Sequence, residues 1–190
     1  MSKFKTARAA ALGVAATLMA SASAFAQSTI LVVDMGKVYN ESSVGKHIER
    51  QLKSMASTSE SQLKAQSSPL ESRAKSLKTQ TDGKTTQQVL GDAALKSQIE
   101  QLQKDTVKLQ TEAAYTQREL QITEAKARQL VAAKLKTIVD QIAKERNADV
   151  VLEKQLVIYG EPADITSTVL SRLNSQMTTV PVTRERLPRG

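Results

Sequence analysis

The chain has 190 residues and a net charge of +8, with no cysteine, no tryptophan, three tyrosines and two phenylalanines. Aromatic side chains bury the largest apolar areas, so their scarcity argues against a compact enzyme-sized core and for a small aliphatic one. The missing cysteines exclude disulfides, thiolate metal sites and cysteine nucleophiles, and the Ala, Gln, Lys, Leu, Thr and Glu bias leans toward long helices.

Met1–Ala26 reads as a secretory signal peptide cleaved after Ala26. It has a basic start in MSKFKTAR, an apolar run AAALGVAATLMA too short to span a bilayer, and an A-x-A site at Ala24-Phe25-Ala26. Its removal would leave 24 basic against 19 acidic residues, a net charge of +5. That charge is spread out and lacks basic-aromatic interleaving, which argues against nucleic acid as a partner. Acidic polypeptides and anionic lipid headgroups remain open.

TILVVD, Thr29–Asp34, is an apolar β-branched run and is expected to be a buried strand. Asp34 can cap a short helix through Met35, Val38 and Tyr39, and Ser42 or Ser43 can cap the next. From Val44 to about Gln80 the apolar spacing is helical, with Leu63, Leu70 and Leu77 seven apart. Pro69 falls inside this pattern, removes one helical hydrogen bond, and is expected to act as a hinge. Asp82-Gly83 and Gly91-Asp92 mark the tip of a helical hairpin near residues 81–92.

Beyond the tip a 4,3 repeat runs through Leu95, Ile99, Leu102, Thr106, Leu109, Ala113, Thr116, Leu120, Thr123, Ala127 and Leu130. It then shifts to Val131, Leu135, Ile138 and Ile142. The outer seam is therefore poor in large apolar residues and the inner seam is aliphatic. This gradient predicts a prong anchored at one end, with Leu109–Thr123 as its compliant part. The long hairpin must project, because a helix from Asp92 to Asn147 would be about 84 Å long.

ADVVL (148–152) and QLVIY (155–159) read as two strands of a hairpin. Asp164 is placed to cap a last helix bearing Ile165, Val169, Leu170 and Leu173. Residues 178–190 are expected to form a disordered tail. The expected organisation is α+β: a body of residues 27–43 and 148–177, and a helical hairpin of residues 44–147. So few strands leave open edges and little core, so oligomerisation is expected.

No catalytic constellation emerges. His47, the only histidine, stands between Lys46 and Glu49 without a positioned partner and reads as a surface residue. GDAALKS lacks the second glycine and the GK[ST] ending of a phosphate loop, and the acidic residues are too scattered for a metal. Neither an enzyme nor a cofactor is expected. From Lys46 to Asn147 there are 18 basic and 12 acidic residues. Lys53, Lys64, Lys75, Lys78, Lys84, Lys96, Lys104 and Lys108 are the candidates for diffuse attraction of acidic partners.

The end segments TILVVDMGKVYNES and ADVVLEKQLVIYGEPADITSTVLSRL resemble the two body segments of the Skp/OmpH family of periplasmic chaperones. The VVDM strand end, the V-x-Y of Val157–Tyr159 and the D-I-T-x-x-V-L of Asp164–Leu170 carry the resemblance. It implies a homotrimer with a small barrel body from strands of three chains, and with hairpins hanging around a central cavity. Ile30, Val32, Val150, Leu152, Val157, Tyr159, Ile165 and Leu170 would belong to that trimer body. It also implies an ATP-independent holdase in the periplasm for unfolded outer-membrane β-barrel proteins. The family's basic lipopolysaccharide cluster is not matched, since Arg118 and Lys126 are the only basic residues in Tyr115–Lys126. A structural coiled-coil protein of the cell envelope and an anionic-lipid binder are the competing readings.

Overall fold

The structure, a computed structural model, describes residues 28–189. The segment read as a signal peptide lies outside them. β1 (Ile30–Val33) turns three of its four residues into the core. Asp34 follows it, and its carboxylate accepts the Lys37 amide at 2.7 Å to cap α1 (Met35–Glu41). Ser42 then joins α1 to the long helix α2 (Ser43–Thr81). Its hydroxyl donates to the Tyr39 carbonyl at 2.9 Å and accepts the Gly45 amide at 3.0 Å. The two helices pass so closely here that a β-carbon on Gly45 would lie 1.8 Å from the Tyr39 carbonyl oxygen.

α2 continues through Pro69 without interruption. It ends in a turn at Gly83, whose φ of +74° suits glycine. The tip is more ordered than a plain turn. Thr85 and Gln88 form a reciprocal capping box that starts α3 (Thr86–Gly91). Asp92 then accepts the Ala94 and Leu95 amides and opens α4 (Ala93–Glu145). At 53 residues α4 is about 80 Å long, and it folds back along α2. Near the tip, Leu77 and Leu95 are buried and Arg73 pairs with Asp105 at 2.9 Å.

α4 delivers the chain back to β2 (Val150–Glu153), followed by β3 (Ala163–Asp164) and α5 (Thr166–Gln176). The sheet order is β2-β1-β3, and both outer strands run parallel to β1, with Ile30 opposite Val150 and Leu31 opposite Ala163. Parallel neighbours need a long crossover connection, and here the entire hairpin is that connection. The core lies at the hairpin root: Leu31, Val33, Val38, Val44 and Ile48 meet Val131, Leu135, Ile138, Ile142, Ile165, Val169 and Leu173.

Some sequence expectations about these elements need correction. QLVIY does not pair as a strand: residues Lys154–Leu156 form a 3-10 turn, and β3 takes the free side of β1 instead. Lys154 Nζ holds that excursion by donating to Asp164 Oδ2 at 2.7 Å. The cap of α5 is Ile165, although Asp164 still accepts the Thr166 amide at 2.8 Å. Leu130 is half exposed, so the frame shift of the seam falls before it, and Ala127 leads directly to Val131. Finally, residues 178–189 are not a loose tail but lie extended along the hairpin, for reasons of hydrogen bonding and charge described below. The described sheet of one chain is open; a closed barrel would need strands from other copies.

Candidate functional site

The eight candidate lysines are all exposed along α2, the tip and α4, and none forms an ion pair among the described residues. Between α2 and α4 runs an open groove whose apolar lining includes Leu52, Ala56, Leu63, Leu109, Ala113 and Leu120. Lys53 and Lys64 stand on its walls. At the body end it is closed by Tyr39, over whose ring the Arg128 guanidinium sits at 4.0 Å. Burial pushes the Tyr39 hydroxyl pKa up, and the nearby Arg128 charge opposes that rise.

The body residues divide into two sets. Val32 and Ile165 are buried within the single chain, and Leu152, Val157 and Leu170 are half-buried. Ile30, Val150 and Tyr159 face outward, Tyr159 being 97% exposed and its neighbour Ile158 100%. Pro69 is exposed on the outer part of α2.

The most elaborate polar arrangement was not foreseen from sequence. After α5 the chain turns back toward the hairpin, with Val180 buried in the core and its carbonyl within 3.2 Å of His47 Nε2. The following residues form a strap centred on Glu119 of α4, which is fully buried beneath it. Arg184 Nε donates to Glu119 Oε2 at 2.9 Å, while its other two nitrogens donate to Ser59 Oγ at 2.9 Å and Thr116 Oγ1 at 3.1 Å. The Glu185 amide donates to Thr123 Oγ1 at 2.9 Å and the Leu187 amide to Glu119 Oε1 at 3.0 Å. Arg189 bonds both Glu119 and Glu112 and lies 4.5 Å over the Tyr115 ring. Lys126 pairs with Glu185 at 2.7 Å.

Electrostatics explain why a carboxylate is tolerated there. Burial pushes the Glu119 pKa up, but hydrogen bonds from Arg189, the Leu187 amide and Arg184 more than reverse this and hold it at about 2. Charge-assisted bonds of this kind are about twice as strong as neutral ones. At the sheet, Lys154 and the two Thr166 bonds likewise hold Asp164 at about 2.

The strap also answers why the seam carries threonine. Thr116 and Thr123 do not fail to pack; their hydroxyls are the acceptors for Arg184 and the Glu185 amide. A sequence signal did exist: Thr116, Glu119 and Thr123 share one helical face by their 3,4 spacing. Residues 183–189 read T-R-E-R-L-P-R and supply the matching arginines.

The described residues form a short parallel sheet with a projecting helical hairpin, and among them no group of His, Asp and Glu side chains is placed to hold a metal ion. The sequence profile of the family described as "Outer membrane protein (OmpH-like)" matches residues 29–173, and the chain belongs to that family. A crystal structure of a Caulobacter crescentus CB15 protein, described as an OmpH-like candidate outer membrane chaperone, shares the fold with a TM-score of 0.70. It is 24% identical, over 97% of each chain. Among curated proteins, no sequence matches significantly.

Proposed function

We propose that this protein is an ATP-independent periplasmic holdase that binds unfolded outer-membrane β-barrel proteins and keeps them from aggregating. The observation that carries the reading is the open apolar groove along the hairpin, on whose walls Lys53 and Lys64 form no ion pair among the described residues. Unfolded chain exposes apolar and strand-edge surface that aggregates unless covered. The groove offers apolar contact, while the basic surplus attracts acidic segments over a longer range. Family membership and the description of the Caulobacter protein support the same class of activity.

The working form is a homotrimer in this reading. Both β2 and β3 leave an unpaired strand edge, and fully exposed Ile158 and Tyr159 sit beside them, as expected of surfaces that other copies cover. Three hairpins around one cavity would then focus the charge of Lys53, Lys64, Lys75, Lys78, Lys84, Lys96, Lys104 and Lys108. Pro69 would serve as a hinge, because the Ala65 carbonyl has no helical amide partner at that level.

The test combines sizing with aggregation of an unfolded porin in the absence of nucleotide. A trimer that keeps the porin soluble is expected, and replacing all eight lysines by glutamate should weaken capture at least tenfold. A monomer without holdase activity would overturn the proposal; a trimer whose capture is unchanged by the eight substitutions would overturn its electrostatic part.

A further inference from the structure

We propose that the Glu119 face of the hairpin is a reversible peptide-binding site whose ligand is an extended arginine-bearing segment, and whose resident occupant is the chain's own C-terminal strap. The site is built rather than incidental. Glu119 is fully buried, and the Arg184 guanidinium is gripped at three points, by Glu119, Ser59 and Thr116. Its partners come from both helices, Ser59 from α2 and the rest from α4, so the occupant staples the hairpin across its polar seam.

Three features make the occupant detachable. The strap beyond Val182 joins neither the sheet nor a helix, and its Glu185 and Leu187 amides are spent on α4 side chains alone. Its removal therefore breaks no backbone ladder. The groups it would leave behind are hydroxyls and carboxylates, which water can serve; the aliphatic root could not be opened so cheaply. Lastly, Val180 stays buried and Val182 packs against the core, so release would run from Thr183 onward with the segment still tethered.

Release would have two consequences. Ser59 and Thr116, which hold Arg184, also line the apolar groove, so release would free two of the groove's own lining side chains. Glu112 and Glu119 would be bared, while Arg184, Arg186 and Arg189 would become free to reach acidic partners. The strap thus exchanges a stapled hairpin with internally neutralised charge for a looser one with a cationic tether.

The experiment uses the full chain and a labelled synthetic peptide, Thr178–Gly190. In an Arg184→Ala/Arg189→Ala chain, hydrogen exchange of residues 112–124 should rise at least tenfold while the Val131–Ile142 core stays as protected as before. Adding the peptide should restore protection and show saturable binding, one peptide per chain. The unaltered chain, its site already filled, should bind the peptide at least tenfold more weakly. A second full-length variant, Glu119→Gln, should show the faster exchange without rescue by peptide. Unchanged exchange in both variants, absence of peptide binding to the folded double variant, or equal binding to the unaltered chain would each overturn the proposal.

Discussion

Near the sheet, α4 meets α2 and α5 through Val131, Leu135, Ile138 and Ile142, side chains of at most 3% exposure packed in one aliphatic cluster. Farther out the same two helices face each other across Ser59, Thr116 and Thr123, and are joined there by the strap's arginines. Beyond Glu112, the last residue the strap reaches, apolar residues such as Leu70, Ile99, Leu102 and Leu109 are only partly buried until Leu77 and Leu95 close the tip. The hairpin thus has an apolar root, a polar stapled middle and a thinly packed distal arm. What differs is reversibility: apolar packing is lost only by unfolding, whereas a charged staple can be exchanged for water or for another ligand.

The largest effect should come from the root. Ile138→Ala removes a fully buried side chain and should cost about 2–5 kcal/mol, whereas Leu102→Ala in the distal arm should cost less than about 1 kcal/mol. Denaturant midpoints of the two variants compare them directly, and equal losses would erase the distinction between root and arm. Gly45→Ala drives a methyl group into the Tyr39 carbonyl and should cost about 1–3 kcal/mol. Gly91→Ala meets nothing within 4 Å and should shift stability by less than about 1 kcal/mol.

The staple should respond to pH in one direction. Because the folded Glu119 carboxyl sits at about 2, below its ordinary 4.5, its contribution is complete above 4.5 and is lost as pH falls through about 2. Arg184, Arg186, Arg189 and Glu112 are the charged groups that face it. The Leu187 amide resonance should accordingly hold its position from pH 7 to pH 5 and move only in stronger acid; a shift near neutrality would contradict this assignment. The smallest effect belongs to any single exposed lysine. Lys64→Ala should change porin capture less than twofold, since a diffuse field does not depend on one charge, and a large loss would turn the arm into a specific site.

The root was the most legible part of the fold in the sequence. Val131, Leu135, Ile138 and Ile142 announce themselves by helical spacing and bulk, and TILVVD by its β-branched run. The direction of the strands was not legible, because QLVIY satisfies strand composition as well as VVLE does. Only the competition for the second edge of β1, taken by Ala163–Asp164, excludes it from the sheet of one chain. The strap was missed for a related reason. T-V-P-V-T-R-E-R-L-P-R has no periodicity, and its order comes from partners about 65 to 125 residues away in Glu119, Thr116 and Ser59. The threonines of the seam are conspicuous in the sequence, but their hydroxyls, not their packing bulk, carry their role. His47 is likewise tied to the start of the strap through Val180 and is not merely a surface residue.

The hairpin's middle is braced by its own C-terminus while the distal arm is not. Residue-resolved hydrogen exchange along α4 of the unaltered chain measures this directly. Strong protection is expected from Val131 to Ile142, with protection of Thr116–Glu124 approaching it and markedly faster exchange between Ile99 and Leu109. Exchange of Thr116–Glu124 as fast as that of the Ile99–Leu109 segment would contradict it.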